Sequence, residues 1–278
     1  MIAPVAASTS RIVVTDLDGS LLDHYTYDYT AAETALNALE HAGVPVILAS
    51  SKTRAEMQAL REAMGNWHPY IVENGAGIAV PSGYFGPAVT PTEAEGDRLP
   101  LAQPRAHWLQ CLDAVKTDFA GEFESFAAGG DQWVSEVTGL SLEAARRANQ
   151  REFTEPVAWL GSKDRQSEFI RTLESMGARV QRGGRFLAVG GDADKGRALR
   201  NLRDRYADYA GAAVKVLALG DSHNDVAMLA AADAAVLVRS PVHEFPRLDS
   251  DFAVYRSEAI GPEGWAEGVF HWLEGEQV

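Results

Sequence analysis

The chain has 278 residues but only one cysteine, Cys111. No disulfide can form within it, and a reducing cytoplasm is the expected setting. No apolar run is long enough to span a bilayer, and Met1 to Ser10 carries neither Lys nor Arg, which argues against a secretory leader. Positive charge is scarce as well: 25 Lys and Arg face 39 Asp and Glu, giving a net charge of -14. That balance argues against nucleic acid and against anionic membranes as partners. It also repels phosphorylated small molecules, so such a ligand must be attracted by a bound cation and by local cations such as Lys52, Lys195 and Arg185. None of the 7 histidines has a partner at zinc-ligand spacing. No repeat or low-complexity tract stands out. At 46% hydrophobic and 23% charged residues, the composition suits a soluble globular chain that can bury one large core or two smaller ones.

The most informative segment is Asp16-Leu17-Asp18-Gly19-Ser20, directly after the apolar run Ile12-Val13-Val14-Thr15. If that run is a buried parallel strand, both carboxylates sit at its carboxyl end, where open α/β sheets bind ligands. One can then act as nucleophile or metal ligand and the other as general acid and base. A solvated turn is the plainer reading of the segment taken alone. A second run, Val214 to Leu219, ends in Gly220-Asp221-Ser222-His223-Asn224-Asp225 and leads into an Ala/Leu-rich helical pattern. If the two strands are neighbours, Asp16, Asp18, Asp221 and Asp225 converge. Their mutual repulsion then calls for a hard divalent cation, for which Mg²⁺ is best suited. Helix capping by Asp221 or Ser222 is the alternative, and His223 reads as solvent-facing. The run Val44 to Ala49 ends in Ser50-Ser51-Lys52-Thr53 before a helix, which is either an anion site or a simple cap. Lys195 opens another helix at the end disfavoured for a cation, so an anionic partner explains it better than helix stability does, with a solvated lysine as the alternative.

In this order the segments resemble the haloacid dehalogenase superfamily of aspartate-nucleophile hydrolases. The resemblance implies Asp16 as nucleophile, Asp18 as general acid and base, Ser50 as hydrogen-bond donor to a phosphoryl group, and Lys195 as the balancing cation. It implies a Mg²⁺ site at Asp16, Asp18 and Asp221, completed or oriented by Asn224 and Asp225. A closer resemblance, to the mannosyl-3-phosphoglycerate phosphatases, rests on Asp16 to Asp23, Ser50 to Glu56, Ile71 to Ala76, Arg151 to Pro156 and Gly183 to Phe186. It implies substrate contacts from Ser51, Lys52, Glu73, Asn74, Arg151, Glu155, Gly184 and Arg185, and a small phosphorylated sugar or glycosyl-glycerate as substrate. Two departures stand out. Ser20 replaces the usual Thr, and Leu187-Ala188 stands where the family commonly has an aromatic residue followed by His. Another sugar phosphatase, a phosphomutase or a non-catalytic relative are the competing readings; the joint presence of Asp16, Asp18, Lys195 and Asp221 argues against the last.

The fold implied is α/β: a Rossmann-like core with a mostly parallel sheet, from residues 1–86 and 190–278, and an inserted α+β cap of the C2 type from 87–189. Helical patterns cover Thr30 to His41 and Thr53 to Met64, each with a glycine just beyond. Tyr70 to Val72 and Ile78 to Val80 flank an Asn74-Gly75 turn signal. Within the insert, Trp108, Leu109, Leu112, Val115 and Phe119 mark one amphipathic helix, and Phe169, Ile170, Leu173 and Met176 mark another. Strand-like pieces at Val157 to Leu160, Ala178 to Gln181 and Arg185 to Val189 complete it. Trp133, Trp159, Trp265 and Trp272 read as packing residues, and the charged run Glu143 to Glu152 as a solvated helix face.

Overall fold

In the computed structural model, residues 9–86, 96–183 and 185–275 are described. Gly184, and the part of Met1 to Ser10 up to residue 8, lie outside that range. The first elements are β1 (Arg11–Thr15), α1 (Glu33–His41), β2 (Val46–Ala49), α2 (Arg54–Met64), β3 (Tyr70–Val72), β4 (Gly77–Val80) and β5 (Asp97–Pro100). Then come α3 (Arg105–Val115), β6 (Phe123–Ser125), α4 (Phe126–Thr138), α5 (Leu142–Asn149), β7 (Glu155–Trp159), α6 (Lys163–Ser175), β8 (Arg179–Arg182) and β9 (Leu187–Gly190). The chain closes with α7 (Lys195–Ala210), β10 (Lys215–Gly220), α8 (Val226–Ala230), β11 (Ala234–Arg239), β12 (Val254–Ile260) and α9 (Gly261–Gly275).

An 8-stranded sheet runs in the order β12-β11-β10-β1-β2-β3-β4-β5. Neighbours from β12 through β3 are parallel, and β3 and β4 form the antiparallel hairpin expected around Asn74-Gly75. Its central strands are continuous apolar runs because they are covered on both faces; Ile12, Val13, Val14, Ile47, Leu48, Val216 and Ala218 are all buried. Thr15 pairs with Leu219 on one side and with Leu48 on the other. The carboxyl ends of β1, β2 and β10 therefore lie level, and three loops start side by side.

The chain divides into two compact units: Met1–Ser50, Gly65–Leu99 and Asp194–Val278 form one, and Ser51–Met64 with Pro100–Ala193 form the other. The division differs from the sequence-based boundaries: the first unit runs on to Leu99 and resumes only at Asp194, and Ser51–Met64 group with the insert. The reason is local bonding. Thr53 Oγ1 donates to the Arg147 carbonyl at 2.8 Å, and Arg54 Nε meets Glu152 Oε1 at 2.7 Å.

The second unit is α+β, with a 4-stranded antiparallel sheet in the order β6-β7-β9-β8. Trp108, Leu112 and Val115 of α3 and Phe169, Ile170 and Leu173 of α6 pack with Val157, Leu187 and Val189 of the sheet. Both helical stripes seen in the sequence therefore face this core, except at Met176, which follows the end of α6 and is exposed. Helix α4, not evident from periodicity, is broken at Gly130, whose φ of 73° no helical residue adopts. Among the described residues, no helix is long and apolar enough to cross a membrane.

Phe169 is the hub of this second core, with ring centroids 5.2 Å from Phe119, 4.9 Å from Phe123 and 5.1 Å from Trp159. Phe169→Ala is expected to destabilise this unit by about 3–5 kcal/mol through lost burial and the cavity left behind. A urea titration followed by tryptophan fluorescence would measure it, and a loss under 1 kcal/mol would contradict the packing described.

Candidate active site

Asp16 leaves β1 with its N–H still bonded to the Leu219 carbonyl of β10 at 2.9 Å, so the first acidic loop starts in register with the last. Gly19 turns that loop with φ 88°, and a Cβ there would lie 2.7 Å from Asp221 Oδ2. The Asp-x-Asp-Gly segment is thus built against Asp221, which removes the solvated-turn alternative. Asp16, Asp221 and Asp225 are all buried, and each can offer a carboxylate oxygen within 4.8 Å of the others. Asp18 is half-buried and stands outside this cluster of three.

Lys195 enters the same space from the first position of α7. Asp194 caps the helix by accepting the Arg197 N–H at 2.7 Å, which leaves the next side chain to point inward. Its Nζ lies 2.5 Å from Asp16 Oδ1 and 2.7 Å from Asp225 Oδ1, with no solvent exposure. The anionic partner expected from its unfavourable helix position is therefore a pair of carboxylates. Burial pulls the ammonium down, but Asp16 and then Asp225 outweigh it and hold the group charged. Asp16 is pushed well above the usual carboxylate range, first by burial and then by Asp225, with Lys195 opposing. Asp221 is raised likewise by burial and Asp225, with His243 and the hydroxyl of Ser20 opposing.

One ammonium thus faces three buried carboxylates, and burial first, then the excess negative charge, raises Asp16 and Asp221. An all-oxygen donor set in that condition fits a hard divalent cation of the Mg²⁺ type. The carboxylates differ in their availability. Asp225 already accepts from Lys195 and from the Ser222 N–H at 3.1 Å, and Ser222 Oγ lies 3.1 Å from its Oδ2. Asp221 accepts from Ser20 Oγ at 3.3 Å and has His243 Nε2 at 3.3 Å. Asn224 is exposed; its Oδ1 accepts from Ser222 Oγ and its amide nitrogen lies 3.5 Å from Asn74 Oδ1. His223 is exposed, as expected.

Ser50 is buried at the end of β2, its N–H bonded to the Ile71 carbonyl and its own carbonyl accepting the Asn74 N–H at 2.9 Å. Glu73 and Asn74 hold left-handed φ angles of 48° and 57°, a conformation that costs non-glycine residues energy and marks a constrained turn. The next residue, Gly75, passes so close to the start of α7 that a Cβ would lie 2.2 Å from the Asp194 carbonyl. This one turn therefore touches the loops of Ser50, Lys195 and Asn224.

In the second unit, the structure places the expected substrate residues differently. Glu155 is wholly buried: it accepts from Arg105 Nε at 2.5 Å and from the Ala127 N–H at 2.7 Å. It is a structural carboxylate, and the expectation that it reads substrate is corrected on that ground. Arg151 donates from Nη1 to the Ser51 carbonyl and to Thr154 Oγ1, each at 3.1 Å. Ser51 is exposed and Lys52 half-buried, both in the stretch leading to α2. Arg185 is exposed and donates to the Thr138 carbonyl at 3.1 Å, at the end of α4, not to Glu155. Gly184 is outside the described residues.

Two contributors were missed from sequence. His243 lies in a loop without periodicity, and nothing in its neighbours announces Asp221. Trp265 of α9, read as packing, is fully buried, and its Nε1 also donates to Thr15 Oγ1 at 2.8 Å. An indole can only donate, so the Thr15 hydroxyl turns its proton to the Asp16 carbonyl at 2.7 Å.

Family comparison agrees with this geometry. Residues 13–85 match the model described as haloacid dehalogenase-like hydrolase, and residues 174–273 match that of sucrose-6F-phosphate phosphohydrolase. A glucosyl-3-phosphoglycerate/mannosyl-3-phosphoglycerate phosphatase of Methanococcoides burtonii is 32% identical over 261 residues, 93% of this chain and 96% of that protein. Among solved structures, the sucrose-phosphatase of Synechocystis sp. PCC6803 is 15% identical with a TM-score of 0.59, covering 95% of this chain and 98% of its own. A haloalkanoate-superfamily phosphatase from Bacteroides thetaiotaomicron is 16% identical with a TM-score of 0.61, covering 98% of each chain. These two likenesses speak for the fold.

Removing the buried ammonium should be costly, because it strands Asp16 and Asp225 without their counter-charge. Lys195→Met is expected to lower stability by about 3–5 kcal/mol at neutral pH. Mg²⁺ should restore part of that loss by neutralising the same carboxylates. Denaturant titrations with and without the ion would check both statements.

Proposed function

The chain belongs to the haloacid dehalogenase superfamily of hydrolases and is one of its phosphatases, and on that premise we propose that it hydrolyses a glycosyl-3-phosphoglycerate, mannosyl-3-phosphoglycerate first, by way of Asp16. The observation that carries the substrate is the 32% identity to a phosphatase of that name, spread over 93% of the chain and so including the specificity-bearing insert as well as the chemical core. The glucosyl analogue is the nearest alternative. Sucrose 6-phosphate is a second reading, favoured by the match of residues 174–273 to sucrose-phosphate phosphohydrolases.

In the reaction we assign, a carboxylate oxygen of Asp16 attacks phosphorus in line, the bond from phosphorus to the glycerate oxygen breaks, and an aspartyl phosphate forms on the protein. Asp18 gives its proton to the departing alkoxide. It then takes a proton from the water that attacks the aspartyl phosphate, which releases orthophosphate and restores Asp16. Ser50 and Lys195 hold the non-bridging oxygens, and the positive charge of Lys195 lies where negative charge accumulates. Asp16 and Asp221 are the residues we assign to a Mg²⁺ ion, with Asp225 orienting them; when bound, the ion shields the phosphoryl charge from the attacking carboxylate. Asp18 and Asn224 join this site through their loops, as the family resemblance implies. Asp225 has a further task. By holding both Lys195 and the Ser222 turn, it fixes the last acidic loop against the first.

Glu73 and Asn74 shape the turn beside Ser50, and Ser51 and Lys52 follow it; we assign them to the edge of the phosphate site. For the alcohol portion, Arg185 is the strongest candidate of the second unit. It is exposed, and a guanidinium can take a carboxylate such as that of glycerate in a two-point contact. Ala188, in place of the common His, lies in β9 opposite Pro156 and Gln181. That substitution removes one polar group from the sheet and leaves hexose selectivity to other residues.

Phosphate release should be measured with Mg²⁺ on mannosyl- and glucosyl-3-phosphoglycerate, sucrose 6-phosphate, trehalose 6-phosphate and hexose phosphates. The glycosyl-3-phosphoglycerates are expected to have the highest kcat/KM, and a preference for sucrose 6-phosphate would move the assignment to the second reading. Asp16→Asn should abolish turnover with the fold retained, and EDTA should stop the wild-type reaction until Mg²⁺ is restored. Arg185→Ala should lower kcat/KM for glycosyl-3-phosphoglycerates by about ten- to a hundred-fold, the worth of one charge-assisted contact, while sparing p-nitrophenyl phosphate, which has no carboxylate. Equal losses on both substrates would reduce Arg185 to a cap for α4.

A further inference from the structure

One of the boundaries between the two compact units falls at the Ser50–Ser51 peptide bond. Ser50, the proposed phosphoryl donor, follows directly on β2, whereas Ser51, Thr53 and Arg54 are bonded to α5 and to the α5–β7 connection. Arg151 Nη1 donates to the Ser51 carbonyl at 3.1 Å. Thr53 Oγ1 donates to the Arg147 carbonyl at 2.8 Å, and Arg54 Nε meets Glu152 Oε1 at 2.7 Å. Three ties, from Ser51, Thr53 and Arg54, thus reach residues 147–152.

Each tie is itself held in place. Arg151 is anchored by Thr154 Oγ1 at 3.1 Å and by the Ala148 carbonyl at 3.3 Å, so its guanidinium spans a fixed frame. Thr53 caps α2 reciprocally with Glu56: its N–H donates to Glu56 Oε2 at 2.8 Å, and its Oγ1 accepts the Glu56 N–H at 3.2 Å. On the other side of the boundary, Ser50 is pinned by the Ile71 carbonyl and the Asn74 N–H. The adjoining residues Ser50 and Ser51 are therefore held by different parts of the chain, Ser50 by Ile71 and Asn74 and Ser51 by Arg151.

We propose that Arg151, seconded by Thr53 and Arg54, is a positioning residue for the phosphoryl-holding loop: it grips the Ser51 carbonyl and thereby sets the direction of Ser50, and it does not read the alcohol portion of the substrate. The proposal rests on the assignment of Ser50 as phosphoryl donor. A positioning role and a recognition role leave opposite signatures. Loss of recognition is selective for the natural substrate, as expected of Arg185. Loss of positioning weakens the phosphoryl site itself, so every phosphomonoester and orthophosphate suffers together.

The test uses the full chain with Mg²⁺. Arg151→Lys and Thr53→Val should each lower kcat/KM by about ten- to a hundred-fold, the penalty of a small misplacement, and to the same extent on mannosyl-3-phosphoglycerate and on p-nitrophenyl phosphate. Inhibition by orthophosphate should weaken in parallel. Thr53→Ser, which keeps the hydroxyl, should restore both. Ser50→Ala is the reference for the underlying assignment: if it leaves orthophosphate inhibition unchanged, Ser50 is not the donor and both statements fall. If Ser50→Ala weakens inhibition but Arg151→Lys and Thr53→Val do not, the positioning role alone is overturned. A loss confined to mannosyl-3-phosphoglycerate would overturn it too, returning Arg151 to substrate recognition. Should Arg151→Lys fold poorly, Thr53→Val and Arg54→Ala carry the same comparison, with melting temperature recorded to separate a stability loss from a catalytic one.

Discussion

The buried ammonium of Lys195, held between Asp16 and Asp225, is the interaction on which the active unit is organised. It demands that three distant stretches of chain arrive together: the end of β1, the start of α7 and the turn before α8. The parallel register supplies the first and third, since Thr15 and Leu219 are paired neighbours. The cap of α7 by Asp194 supplies the second. The close pass of Gly75 under the Asp194 carbonyl closes the arrangement from the side of Ser50. A desolvated charge without a counter-charge is among the costliest features a core can contain. The pairing therefore constrains the surrounding backbone as strongly as any apolar contact does.

The same electrostatics ties architecture to chemistry. With three carboxylates and one ammonium in a buried space, the unit carries unbalanced negative charge, visible in the raised protonation tendencies of Asp16 and Asp221. A divalent cation would resolve the imbalance and leave Asp16 anionic, the form its proposed role as nucleophile needs. Around this centre, rigidity comes from short hydrogen-bonded links to the backbone. Trp265 through Thr15 fixes the Asp16 peptide, Ser222 answers Asp225, and the left-handed turn at Glu73 and Asn74 holds Ser50. Such links suit a site that must keep its dipoles aimed while charge moves through it.

The second unit uses a buried ion pair for a different end. Glu155 receives Arg105 and the Ala127 amide in the first turn of α4, while Arg105 extends to the carbonyl and side chain of Asn149, and Asn149 to Asp131. This network joins the starts of α3, α4 and β7 to the end of α5, all within one unit. It adds polar ties to the apolar packing of these elements, α4 among them being interrupted at Gly130. Satisfied networks of this kind specify one arrangement among several similar ones.

The linear sequence alone determined the alternation of strand and helix, the hairpin at Asn74-Gly75, the amphipathic stripes of α3 and α6, and the acidic loops at Asp16 and Asp221. All of these are short-range patterns, in which side-chain periodicity and turn chemistry act over a few neighbouring residues. It also marked Lys195, because a cation at a helix start conflicts with the local dipole and so advertises a distant partner. Which partner it was, only the tertiary structure decided. The same holds for Glu155 and Arg151, whose residue types suit ligand recognition equally well; Arg105 and the Ser51 carbonyl become their partners through chain crossings that no local pattern encodes. His243 beside Asp221, the Trp265 link to Thr15 and the grouping of Ser51–Met64 with the insert belong to that second class. In each, the deciding energy is a contact between residues far apart in sequence. Such a contact has no trace in periodicity, because it depends on where the sheet and its connections bring the chain back.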